Sequence, residues 1–154
     1  MRRTLVAVVA VVLLCSCGTT SSSPDAGSTP LNTAFAGSWK MSLGIALTPN
    51  GGDYGPSMVT ALVTVSGETA NVEVCENGSI AFTGSGNSAS FSGSFTCPMP
   101  LSLSGGVFTC STITVVFTSG TATLSNGTLT VITNGTASGC NASYSISQTQ
   151  TGTM

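Results

Sequence analysis

Ser88-Ala-Ser-Phe-Ser-Gly-Ser-Phe95 alternates hydroxyl and apolar side chains for eight residues, and that alternation decides the fold. Successive side chains of a strand point to opposite faces, so Ser88, Ser90, Ser92 and Ser94 share one face while Ala89, Phe91 and Phe95 share the other. A helix would scatter the same residues around its circumference. The segment therefore predicts a half-buried strand, greasy on one side and hydroxylated on the other.

The same rule holds outward in both directions. Trp39, Met41, Leu43, Ile45 and Leu47 fall on one side, then Val59, Ala61, Val63 and Val65, then Val72 and Val74, then Ile80 and Phe82. Toward the C-terminus Ile113, Val115 and Phe117 keep it, followed by Ala122 and Leu124, Leu129 and Val131, and Tyr144 and Ile146. Turn chemistry separates these runs at Ser66-Gly67, Asn77-Gly78, Gly84 to Asn87, Ser119-Gly120, Asn126-Gly127 and Asn134-Gly135, because Gly and Asn tolerate the positive φ of tight hairpins. Eight or nine strands with short connections predict an all-β antiparallel meander. Closing it removes exposed edges, so an up-and-down barrel is the first expectation. A two-sheet sandwich is the alternative, with the longer link CPMPLSLSGG, residues 97–106, as the place where the chain would change sheets.

Ahead of this domain, Arg2 and Arg3 precede an apolar run, Leu5 to Leu14, that ends at Leu14-Cys15-Ser16-Cys17. A charged segment followed by ten apolar residues has the form of an export signal, being half the roughly 20 residues that a bilayer-spanning helix needs. LCSC resembles the lipobox of bacterial lipoproteins, in which an aliphatic residue stands three before, and a small residue just before, the modified cysteine. Cys17 is the expected acceptor; Cys15, the alternative, would put Leu14 at the cleavage point. The resemblance implies removal of residues 1–16, acyl chains on Cys17 and anchoring in a membrane of the cell envelope, since two or more chains hold stably. Gly18 stands where Asp would retain an enterobacterial lipoprotein at the inner membrane, which points to the outer one. Residues 17–32 read as a lipidated cysteine and a tether of small polar residues and prolines, with a random-coil reach of roughly 20 Å. Residues 33–154 form one domain by size.

After cleavage the side chains include one base, Lys40, against five acids, Asp25, Asp53, Glu68, Glu73 and Glu76. Phosphate contacts that release counterions need many cations, so no nucleic-acid partner is expected. The chain contains no His, no serine stands in a GxSxG context, and a Ser-Lys dyad would have to recruit Lys40. No catalytic residue, metal or cofactor is assigned, and the protein is expected not to be an enzyme. Glu68, Glu73 and Glu76 around the second hairpin read first as a solvated rim, with a weak calcium site or a glycosidase-like pair as sharper alternatives.

Four cysteines remain after Cys17: Cys75, Cys97, Cys110 and Cys140. An even number in an exported domain predicts two disulfides, with Cys75–Cys97 and Cys110–Cys140 as the preferred pairing. Counting strands alternately up and down sets Cys75, Cys97 and Cys110 at one rim and Cys140 at the other. The second pair then requires an irregular strand or an extra crossing.

Gly37-Ser38-Trp39 opens the first strand and resembles the GxW signature of lipocalins, small up-and-down barrels that hold apolar ligands. The resemblance implies that Trp39 closes one end of the barrel or lines a ligand. The arginine that lipocalins set over this tryptophan has no counterpart, since the only arginines are Arg2 and Arg3. Two functions follow: a structural or interaction domain meeting an envelope protein or polysaccharide, and a lipocalin-like carrier of a small apolar ligand. The volume inside the barrel discriminates between them.

Overall fold

The computed structural model describes residues 29–49, 51–97, 113–139 and 142–154. Residues 1–28, with the signal, the lipobox, Cys17 and most of the tether, lie outside them, as do Cys110 and Cys140. The described chain is all-β, with eight antiparallel strands in sequence order closed into a barrel. They are β1 (Gly37–Thr48), β2 (Gly52–Ser66), β3 (Thr69–Cys75), β4 (Gly78–Ser85), β5 (Ser88–Thr96), β6 (Thr114–Ser125), β7 (Thr128–Gly139) and β8 (Ala142–Thr153). Closure comes from β1 pairing with β8 over Lys40↔Thr153 to Thr48↔Ser145, which leaves no edge strand and excludes the sandwich.

The alternating residues fill the interior. Trp39, Met41, Ala61, Val63, Val72, Ile80, Phe82, Ala89, Phe117, Ala122, Leu129 and Val131 are all buried. Each large apolar side chain removed from water stabilises the fold by roughly 1.5–3 kcal/mol before entropy is counted. Phe82 and Phe91 meet edge to face, centroids 6.1 Å apart. The hydroxyl face points outward.

Four of the six expected turns are turns. Asn126 and Gly127 have φ of 51° and 75°, the paired positive values of a two-residue hairpin, and Gly67, Gly86 and Asn77 supply positive φ at the others. The other two expectations are corrected. Ser119 and Gly120 lie within β6, where the register with β7 slips between Phe117 and Ser119, and Asn134 and Gly135 lie within β7. Glycine serves packing there: a Cβ on Gly135 would fall on the Val116 carbonyl, and one on Gly120 would come within 2.8 Å of the Ile132 carbonyl oxygen. The barrel draws these strands too close for a side chain.

This lengthens β6 and β7 into full-height strands. Gly139 pairs with Ala142 at the same rim where β3 ends at Cys75 and β5 leads into Cys97.

At the other rim the chain enters. Leu31, 3% exposed, bridges to Gly86 and donates its N–H to the Gly67 carbonyl, and the Gly86 N–H donates to the Pro30 carbonyl. Leu31 and Asn32, which composition assigns to the tether, are thus docked, and the folded part starts before residue 33. Asn32 caps a short 3-10 helix, Thr33–Phe35, by accepting from the Ala34 N–H. That helix carries Phe35, fully buried, over the mouth of the barrel.

Candidate functional site

The two halves of the barrel differ. In the capped half Trp39 is fully buried, and its indole N–H donates to the Phe35 carbonyl at 2.8 Å, which locks the ring beneath the 3-10 helix. Polar atoms taken out of water require such partners, and this contact supplies one for both groups. Met41 and Phe82 are fully buried as well.

The far half holds a cavity of about 470 Å³. Its wall is mainly apolar: Leu43 from β1, Val59 and Ala61 from β2, Val74 and Cys75 from β3, and Val115 and Phe117 from β6. Cys97 closes one side, Gln148 and Gln150 reach in from β8, and Thr60, Glu73 and Glu76 stand at its edge. Trp39 is not among the lining residues; along the strand it lies about 13 Å from Leu43, four residues at roughly 3.3 Å each.

The cavity forms where the sheet loses its ladder. β2 and β3 pair only from Val63↔Val72 to Ser66↔Thr69, and β4 and β5 only from Thr83↔Ser90 to Ser85↔Ser88. Both sets lie in the capped half. Beyond them the β3–β4 hairpin stands without registered neighbours on either side, and its tip is tied down by three contacts. Cys75 is disulfide-bonded to Cys97, with Cα atoms 6.1 Å apart. Where the β3–β4 register slips around Val74, the Gln148 side-chain amide crosses the barrel and donates to the Val74 carbonyl at 2.7 Å. Outside, the Glu73 carboxylate accepts from the Leu62 backbone N–H at 3.3 Å. Backbone groups left without strand partners need satisfaction elsewhere, and these two side chains provide it.

Among the described residues the buried polar ones are Thr133, Gln148 and Gln150, at 1, 4 and 4% exposure, the two glutamines lining the cavity. The Thr133 hydroxyl and the Gln150 carbonyl oxygen are buried without hydrogen-bond partners. Sequence reading missed this stripe although the signal was present. The phase of Tyr144 and Ile146 continues through Gln148 and Gln150, so both amides were due on the inner face.

The acids expected together separate. Glu68 sits in the turn between β2 and β3 at the capped rim, where its carbonyl accepts from the Gly84 N–H, while Glu73 and Glu76 belong to the far half. Among the described residues no group of three or more Cys, Asp or Glu converges as metal ligands do. Lys40 is exposed on β1, beside inward Trp39. No family model matches the chain, and neither does a curated protein or a solved structure.

Proposed function

We propose that the protein is a non-catalytic, lipid-anchored carrier of the bacterial cell envelope that holds a small, mainly apolar ligand in the far half of its barrel. The observation that supports this is the cavity, whose size of about 470 Å³ falls within the roughly 300–1,000 Å³ of small-molecule sites. Its composition fits as well, being an apolar wall with a few polar groups to orient what enters. Cleavage before Cys17 and acylation of that residue supply the anchor, with the outer membrane favoured by Gly18. The tether joins the domain at the capped rim, so the ligand end is the end away from the anchor.

A second reading, as an envelope interaction protein, draws on the outer face of β2. Met58 and Leu62 are exposed there, at 74% and 56%, and apolar side chains presented outward favour a protein partner over a polysaccharide.

The test uses the lipid-free chain, residues 18–154, exported to an oxidising periplasm and examined by native mass spectrometry and by binding of the neutral probe N-phenyl-1-naphthylamine. A co-purified small molecule or saturable one-to-one probe binding is expected. Neither, from a folded protein, would leave the interaction reading in its place. Incorporation of labelled palmitate into the full precursor, lost on Cys17→Ser, tests the anchor.

A further inference from the structure

Among the described residues three polar side chains are buried in the interior, and two of them line the cavity. Gln148 is committed to the Val74 carbonyl. Gln150 is not: 4% exposed and part of the cavity wall, it keeps a carbonyl oxygen with no donor. A buried amide oxygen without a partner is a cost that a leucine at the same position would not carry. Its terminal amide turns about a soft torsion, so the oxygen can swing from the wall to the lumen.

The charges around the site are one-sided. Glu73 and Glu76 stand at the cavity edge, and among the described residues no basic one lines it. A carboxylate entering this space would be stripped of water with no cation to meet it, past two like charges. An ammonium carried to Gln150 would be stripped in the same way, with no carboxylate at that depth.

We infer that the cavity selects a compact neutral amphiphile, of the class of alcohols or primary amides with an apolar body, whose O–H or N–H donates to the Gln150 side-chain oxygen. This inference rests on the carrier reading of the same cavity. Gln150 is then the specificity-determining residue, and Leu43, Val59, Val115 and Phe117 hold the apolar body.

The experiment compares 1-octanol, 1-methoxyoctane and octanoate at neutral pH by calorimetric titration of residues 18–154, unaltered and as Gln150→Met. The ether lacks the donor and carries one more carbon, so hydrophobicity alone would favour it. The alcohol is expected to bind about tenfold more tightly than the ether, about 1.4 kcal/mol, with octanoate weaker than both. Gln150→Met, close to glutamine in shape, should abolish the alcohol's advantage over the ether. Alcohol and ether binding equally to the unaltered protein would overturn the inference while leaving the carrier reading intact, as would octanoate binding as tightly as octanol. Absence of binding by all three and by N-phenyl-1-naphthylamine would defeat the carrier reading itself. Should Gln150→Met fail to fold, the ligand series on the unaltered protein still decides.

Discussion

Replacing Cys75 and Cys97 together by alanine removes the covalent tie on the β3–β4 hairpin, and the structure sets both the size and the place of the effect. The two cysteines are 22 residues apart in sequence, and closing a loop of that length lowers the entropy of the unfolded chain by an amount worth about 3 kcal/mol. Cys97 is 8% exposed, so the lost sulfur adds a small packing term of the same sign. Urea unfolding of residues 18–154 should therefore show a loss of about 3 kcal/mol in unfolding free energy. The place is more telling. Because β3 lacks registered pairs with β2 beyond Val72, and β4 lacks them with β5 before Thr83, the freed tip keeps, among the described residues, the contacts of Gln148 with Val74 and of Glu73 with Leu62. Hydrogen exchange at residues 73–78 should accelerate well beyond what the global loss accounts for, whereas β7 and β8, paired along their whole length, should change only by the global term. A destabilisation below about 1 kcal/mol, or exchange that rises evenly around the barrel, would refute the reasoning that the hairpin tip is a locally tethered unit.

Three other perturbations probe the rest of the molecule. Trp39→Phe removes the indole N–H from the buried Phe35 carbonyl, and the loss of that bond with the accompanying void should cost about 2–4 kcal/mol in thermal or urea unfolding. Gly135→Ala and Gly127→Ala separate two reasons for glycine. The first drives a Cβ onto the Val116 carbonyl and should prevent folding or cost several kcal/mol, roughly the upper range for single substitutions. The second meets open space at φ 75° and should cost only about 1–2 kcal/mol. Cys110 and Cys140, both outside the described residues, are expected to form a second disulfide; residues 18–154 should weigh four hydrogens less than the fully reduced chain, with a chymotryptic map, cutting at the Phe and Leu residues between the cysteines, linking these two positions.

Alternation made the barrel legible because a small barrel imposes one period on every strand: in must be apolar, out must be soluble. Where the reading failed, it weighed a doublet over a phase. Asn134-Gly135 has the chemistry of a hairpin, yet Leu129, Val131, Thr133 and Ala137 are all buried and all odd-numbered, so the inward phase runs through it unbroken. Ser119-Gly120 does interrupt a phase, from odd at Val115 and Phe117 to even at Ala122 and Leu124. One extra residue in the strand, a bulge, produces that shift and turns nothing around. The cavity was less legible for a physical reason. Its existence depends on which strand pairs stop short, and the lengths of the β2–β3 and β4–β5 ladders follow from the curvature of the whole closed sheet, not from any local run.

Three departures from a well-sealed barrel coincide in the far half: ladders that stop early, glutamines on the inner face, and volume that side chains do not fill. Each alone is a modest cost that leucine or a longer ladder would relieve. In the capped half Phe35 and Trp39 are fully buried and hydrogen-bonded to each other, and β6–β7 pair out to Ser125↔Thr128. Local rules broken together at one place, and kept elsewhere, mark the region where function rather than stability sets the residues. In a pure scaffold the glutamines would be the first positions to become aliphatic. In a carrier Gln150 would orient what the cavity holds, while Gln148 straps the hairpin beside it.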